Sequence, residues 1–585
     1  MTPREVAATL REISQLLQLK GENAFKVRAY DMGADAFETL PPDPTAPGGL
    51  YERVKAGTLA ELENVGKAID QKVTELVRTG RLQYLEDLRR DFPHGALDLV
   101  QIPGLGPRKA AALIRELDVG NVEDLEKAAR EGRVRGLKGF GERTEKSILE
   151  GIARLRERQA ARKPLWETRP LAEQLLLRVG AVPGVVRAEI AGSVRRYAET
   201  NGDIDIVAAM DGPVEAAMEA FAQGPGVVEV LARGGTKCSV RLRDGLQADL
   251  RVVSGAQFAT ALHHFTGSKQ HHVKLRGIAR AKGLSISEYG LARLDGGAPL
   301  QPGSEDELYG LLGLQPVPPE LREDLGELEL AEKRALPELV AQGHVRGFVH
   351  CHSTWSDGKA TIEEMVRAAG ALGAEFITIT DHTSAAHYAN GLDVERLKRQ
   401  WEEIEQVQEK VPQVRILRGS EVDILEDGAL DWPADILDKL EVVICSVHQR
   451  FKLDEPRQTE RIRRALLHPK CSIWGHPTGR YLAERDPMPA RWEELIALAA
   501  ERGVTIECNG TPHRLDFGAD LMRVANKHKA KIALSVDAHS TKELQNLHYA
   551  VGTARRGWTE RSRVVNARPA AEFLAMLRQR GPLPA

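Results

Sequence analysis

The sequence predicts a multidomain protein with three architectures in order: an all-helical N-terminal quarter, an α+β sheet domain, and a parallel α/β barrel. Length is the first observation behind this, since 585 residues exceed what one hydrophobic core organises. Texture is the second. Amphipathic stretches punctuated by glycine fill residues 1–160, and short β-branched runs replace them from about residue 176. The third is a regular alternation beyond residue 340, where seven apolar runs are mostly separated by amphipathic helical stretches.

Composition excludes several classes. No run of 18 apolar residues occurs, and the N-terminal MTPREVAATLREISQLL alternates charged with apolar positions where a signal peptide needs an uninterrupted apolar core. A cytoplasmic protein is therefore expected. The five cysteines, Cys238, Cys351, Cys445, Cys471 and Cys508, are scattered without a CxxC pair, which fits free thiols and argues against a disulfide scaffold or a thiolate zinc finger. The net charge of −3 announces no polyanion partner, yet residues 101–170 hold 16 Lys and Arg against 11 Asp and Glu.

That basic stretch belongs to a repeated motif. The segments LENVGKAIDQKV (62–73), IPGLGPRKAAAL (102–113) and LKGFGERTEKSI (137–148) share the order hydrophobic, any, Gly, hydrophobic, Gly, helix, with Asn64 in place of the first glycine of the first copy. Glycine lets such a turn take positive φ and present backbone N–H groups, with the following helix N-terminus, to a phosphate. A tight helix–helix turn without a ligand is the other reading. The segments resemble helix-hairpin-helix motifs, which implies DNA-backbone binding at Gly104, Gly106, Gly139 and Gly141. The first resembles the N-terminal lyase domain of family X DNA polymerases, in which a lysine after the hairpin forms a Schiff base with an abasic sugar. The matching residue is Lys72; Ala68 stands where many relatives carry a second lysine, with Lys67 beside it. An ordinary surface lysine is the alternative.

In GDIDIV, Asp203 and Asp205 lie two apart on a predicted strand, so both face one side while Ile204 and Ile206 face the other. Asp249 in QADLRVV offers a third carboxylate from a neighbouring strand, and three such groups suit Mg²⁺ or Mn²⁺. Ten residues upstream, AGSVRRY supplies Gly192, Ser193 and Arg196 as donors to a triphosphate. The order GSxRR, DxD, ADLR, FTGS resembles the family X nucleotidyltransferase palm. That resemblance implies metal and catalytic roles for Asp203, Asp205 and Asp249, and nucleotide contacts from Gly192, Ser193, Arg196, Phe265, Thr266 and Gly267. His264 replaces a tyrosine frequent in relatives, and Gln247 an arginine found in some.

The barrel strands are expected at RGFVH, EFITIT, VRILRG, EVVICS, CSIWG, VTIECN and KIALS. Six of them deliver His350, His352, Asp357, His382, Glu421, His448, His476, Asp537 and His539 to their C-terminal ends, where barrel active sites are built. Glu507 and Asn509 end the remaining strand as candidate supporting groups. Imidazole with carboxylate and no thiolate favours Zn²⁺, Mn²⁺ or Fe²⁺, and nine ligands favour three ions. The pattern resembles the PHP phosphoesterase domain, a distorted (β/α)7 barrel, with Zn²⁺ and/or Mn²⁺ and hydrolysis of phosphoesters implied.

From about residue 5 to 575 the chain resembles bacterial family X DNA polymerases fused to a PHP domain. The resemblance implies a lyase-like domain (1–90), a fingers-type helix-hairpin-helix domain (91–165), a palm (166–260), a nucleotide-pocket or thumb-type subdomain (261–325), a linker (326–343) and the PHP domain (344–575). It also implies a DNA repair polymerase filling short gaps in base excision or end-joining repair, with 3'-5' exonuclease activity, acting on gapped or primed DNA and deoxynucleoside triphosphates as a monomer. A barrel whose metals are only structural, a non-catalytic DNA-end binder, a template-independent transferase and a small-phosphoester hydrolase remain alternatives.

Overall fold

The computed structural model describes residues 1–581 except 2, 42, 43, 45, 94, 101, 103, 104, 118, 138, 161, 297, 299 and 580. The chain forms two compact units, residues 1–162 and 163–585. None of the described helices is long and apolar enough to cross a membrane.

In the helical unit the three glycine motifs adopt one backbone pattern. Val65, Leu105 and Phe140 each donate N–H to the carbonyl three residues back, at 3.1, 3.0 and 3.0 Å. Gly66, Gly106 and Gly141 then each accept from the fourth residue onward, opening the helices Lys67–Thr79, Pro107–Leu117 and Glu142–Ala160. Asn64 has φ 67°, the left-handed conformation that Gly139 takes at φ 88°, so asparagine preserves the turn in the first copy. Leu17, Ile69, Leu88, Leu113 and Ile148 are buried in one continuous core, so the expected division at residue 90 does not divide the packing.

The second unit starts with a five-stranded mixed sheet. Strand Asp203–Met210 sits between the antiparallel Val185–Ile190 and the parallel Gln247–Val253, followed outward by Lys237–Leu242 and Val227–Arg233. Ile204 and Ile206 are buried while the carboxylates occupy the other face, the alternation that a half-buried strand requires. The helix Phe258–Thr266 packs Phe258, Ala261 and Leu262 on Val207 and Ala209, so it joins the sheet to the segment that follows.

Residues 326–343 are not a free linker. Leu328, Ala331 and Leu339 are buried with Leu275, Leu308 and Tyr309 in the core of the preceding segment. Glu327 accepts from the N–H groups of Asp324 and Leu325 and pairs with His271 Nδ1 at 2.6 Å, and His271 Nε2 meets the Tyr309 hydroxyl at 2.9 Å. The stretch reads as charged because its apolar positions are sparse, yet those few positions suffice to seat it.

The barrel has seven parallel strands in chain order, Gly347–Phe348, Phe376–Ile379, Arg415–Asp423, Val442–Ser446, Ile473–Trp474, Thr505–Asn509 and Ile532–Ser535. Beyond the last strand, Ala538 accepts from His352 N–H at 2.8 Å and donates to the His350 carbonyl at 3.1 Å, bringing the ends of the first and seventh strands together. The barrel also packs on the sheet domain: Leu515 and Tyr549 enter its core, and Arg480 pairs with Glu199 at 2.7 Å. Each buried apolar side chain of this size stabilises the contact by about 1.5–3 kcal/mol. All five cysteines are buried free thiols.

Candidate metal centres

The first centre grows from strand register. Asp205 lies directly opposite Asp249 on the adjacent parallel strand, and Asp203 precedes it on the same face. Gly192 carries φ 61°, and a Cβ there would lie 2.4 Å from Asp205 Oδ2, so only glycine lets this turn close on the carboxylate. Burial first, then the charges of Asp203 and Asp249, push Asp205 up to about 7. Asp249 is held below its usual range: burial opposes ionisation, but Lys237 at 2.8 Å and hydrogen bonds from Ser239 and Gln247 outweigh it. Three carboxylates on one face of the sheet, one of them buried against ionisation, form an oxygen-donor cluster that fits divalent cations.

Around it the phosphate-side groups are already engaged. Ser193 Oγ donates to Asn201 Oδ1 at 2.7 Å. Arg196 Nε donates to Glu323 at 3.0 Å and its Nη1 to the Thr266 carbonyl. Thr266 is buried and its hydroxyl accepts from Arg195, while Phe265 lies beneath the Arg251 guanidinium. Gly267 sits beside Arg196, where a Cβ would stand 3.3 Å from Nη1. His264 packs edge-on against Phe265 and His272, and Gln247 donates to Asp249 at 3.0 Å.

The second centre lies at the C-terminal ends of the barrel strands. Ligating atoms of His352, Asp357, His382 and His539 lie within 4.8 Å of one another, as do those of His350, His352, Glu421 and Asp537, and those of His382, Glu421 and His448. His352, His382 and Glu421 are shared between groups, so three positions adjoin. His476 lies outside these groups, with Nε2 2.8 Å from Glu421 Oε1.

The hydrogen bonds fit metal ligation. His350 Nδ1 meets Glu507 at 2.6 Å, His448 Nδ1 meets Asp423 at 3.2 Å, and His539 Nδ1 meets the Asp537 carbonyl at 2.9 Å. With the proton on each Nδ1, Nε2 presents its lone pair to the cluster. Several buried atoms have no hydrogen-bond partner, namely His350 Nε2, His352 Nδ1, His382 Nδ1 and Glu421 Oε2. Burial pushes His382 down to about 3, keeping it neutral. Burial opposes charge on His448 as well, but Glu421 and Asp423 push it up to about 10. Cations bound among these groups would replace such protons.

Comparison with known proteins decides the family. Residues 1–82 match the helix-hairpin-helix domain, 96–154 the SAM-like helix-hairpin-helix tandem, 261–323 the DNA polymerase beta thumb and 349–511 the PHP domain. The chain is 35% identical over 581 residues to the DNA polymerase/3'-5' exonuclease PolX of Bacillus subtilis (strain 168), covering 99% of this chain and 100% of that protein. The chain belongs to the bacterial family X DNA polymerases with a C-terminal PHP domain. A second similarity, 32% over 235 residues, links 37% of this chain to 88% of a probable phosphatase of Thermoanaerobacter sp. (strain X514). A probable phosphatase of Caldanaerobacter subterraneus subsp. tengcongensis is 32% identical over 174 residues, covering 28% of this chain and 61% of that protein.

Other expected positions of this family X chain are distributed as follows. Gly104 lies outside the described residues; a Cβ at Gly106, Gly139 or Gly141 would meet nothing within 4 Å, so space rather than protein faces these turns. Lys72 Nζ lies 4.5 Å from the Tyr84 ring centre, and burial first, then Lys26, lowers its pKa. Glu507 and Asn509 line the barrel centre as supporting groups, with Asn509 donating to Asp537 at 3.4 Å. Sequence reasoning missed Lys237, Asp423 and Arg514, the last 3.7 Å from Asp537. Asp423 carried a signal, since it follows Glu421 by two residues on one strand, as Asp205 follows Asp203.

Proposed function

We propose that this chain fills short gaps in DNA during base excision or end-joining repair, adding deoxynucleotides to a primer 3' end at Asp203, Asp205 and Asp249, and trimming 3' ends at the barrel. The reading rests on one observation above others: each centre gathers acidic groups that need cations, all-oxygen in the sheet domain and mixed with imidazole in the barrel. Mg²⁺ or Mn²⁺ suits the first set and Zn²⁺ or Mn²⁺ the second, with three ions for the barrel's three groups. Bound there, such ions supply neutralisation of the phosphate and activation of the attacking oxygen.

The chain's own residues orient the reactants. Lys237 holds Asp249 Oδ2 and Gln247 its Oδ1, fixing the carboxylate opposite Asp205, and the Gly192 turn brings backbone against Asp205. In the barrel, Glu507 fixes the His350 tautomer and Asp423 that of His448. Arg514 stands beside Asp537 as a cation for a substrate phosphate. A lyase role for Lys72 has support from its lowered pKa, which raises the neutral amine fraction; borohydride trapping on an incised abasic site tests it, and absence of an adduct rejects it.

The experiment for the whole reading is primer extension on gapped and single-stranded DNA with Mg²⁺ and Mn²⁺ compared. Template-dependent extension on the gap with shortening of the unextended primer is expected. Equal extension without template indicates a transferase, and binding without turnover a DNA-end binder; either rejects the reading.

A further inference from the structure

Arg196 is held by two acceptors from different parts of the chain. Its Nε donates to Glu323 Oε1 at 3.0 Å and its Nη1 to the Thr266 carbonyl, leaving the side chain 14% exposed. The same Glu323 Oε1 receives Arg556 Nη1 at 2.8 Å, and that nitrogen also lies 2.7 Å from the Arg196 carbonyl. One carboxylate oxygen is thus shared by an arginine of the sheet domain and one of the barrel.

The barrel helix Leu547–Arg556 is fixed in this position. Arg555 pairs with Glu320 at 2.8 Å and donates to the Val340 carbonyl at 3.0 Å. A Cβ on Gly552 would lie 2.0 Å from the Tyr197 ring, so the helix approaches as closely as glycine permits. Burial raises the Glu323 pKa, but Arg196 and Arg556 together hold it below the ordinary carboxylate range, so Glu323 is an anion at neutral pH.

We propose that Glu323 is a latch that competes with an incoming nucleotide triphosphate for Arg196, and that Arg556 of the barrel sets how firmly the latch holds. The proposal rests on the polymerase reading, because it takes Arg196 as a phosphate contact. A triphosphate that draws Arg196 away leaves Glu323 half-buried beside an anion, which is costly for an unpaired carboxylate. Arg556 removes much of that cost by remaining as its partner. Without Arg556, Glu323 has Arg196 as its remaining partner of the two and gives it up less readily. The barrel therefore favours nucleotide loading at the neighbouring site without touching nucleotide.

The test measures nucleotide affinity of the full chain on gapped DNA with a dideoxy-terminated primer and Ca²⁺, alongside KM and kcat for gap filling. Arg556→Met raises Kd and KM about 5–10-fold with kcat nearly unchanged, and Arg556→Lys restores most of the loss. Glu323→Gln lowers Kd about 3–10-fold, and adding Arg556→Met to it changes nothing further. An Arg556→Met effect that persists undiminished in the Glu323→Gln background overturns the latch, as does a raised or unchanged Kd in Glu323→Gln. Melting and trimming by the barrel check folding; if Arg556→Met unfolds, Glu323→Gln decides alone. A wild-type chain that extends no primer overturns the polymerase reading and the latch together, whereas extension with affinities indifferent to Glu323 overturns the latch alone.

Discussion

The two candidate metal centres differ in their electrostatics. Asp203, Asp205 and Asp249 come from two adjacent strands; burial first, then the charges of its two neighbours, push Asp205 up to about 7, while Lys237 helps hold Asp249 low. The barrel interleaves carboxylates with six histidines from several strands, and there the carboxylates are held low: Glu421 lies well below its ordinary value because His448, His350 and His382 outweigh burial. The difference teaches that a buried carboxyl facing two acidic neighbours would gain from bound ions, while in the barrel imidazole protons partly compensate the carboxylates and bound ions would displace them.

Removing a carboxylate should break the comparison most visibly. Asp205→Ala is expected to cut nucleotide addition about 1000-fold or more, while trimming of a labelled 3' end stays within about twofold; loss of both in steady-state assays contradicts separate centres. A smaller effect is expected from Glu507→Gln, which keeps the shape beside His350 but weakens the acceptor that fixes its tautomer. Trimming activity and metal affinity fall about 10–100-fold, with gap filling unchanged.

Stability separates the centres further. The folded-state pKa of Asp205 is raised from 3.8 to about 7, so the protonated form is favoured by folding. In metal-free buffer the associated stability is fully present below about pH 4 and is lost as pH rises through about 7, a change of roughly 2–4 kcal/mol. Asp205→Asn flattens that limb in pH-dependent denaturant melts, and an unflattened limb shows that folding does not raise the Asp205 pKa. The smallest effect concerns the hairpins: Gly139→Ala forces alanine to φ 88° and costs about 1 kcal/mol by chemical denaturation, while Asn64→Gly changes stability by a few tenths of that.

Legibility followed periodicity. The barrel strands were readable because buried parallel strands are continuous apolar runs, and their histidines because ligands recur at strand ends. The DxD pair was readable because a strand alternates faces. What could not be read depends on contacts across long separations. Glu323 meets Arg196 from 127 residues away and Arg556 from 233, and no local pattern relates the three. Lys237 becomes a partner of Asp249 through strand register alone. The seating of residues 326–343 was hidden because Leu328, Ala331 and Leu339 are isolated among charges and become a core only against Leu275, Leu308 and Tyr309.

The most direct measurement of the central claim is a reciprocal pair on one substrate, a gapped duplex with a 5'-labelled primer, Mn²⁺ and nucleotides, resolved by length. Asp249→Ala should yield only shortened primers at the wild-type trimming rate, and His352→Ala combined with Asp537→Ala only lengthened ones. A chain in which either change abolishes both products, or in which the barrel double variant still shortens the primer, contradicts two centres with divided chemistry.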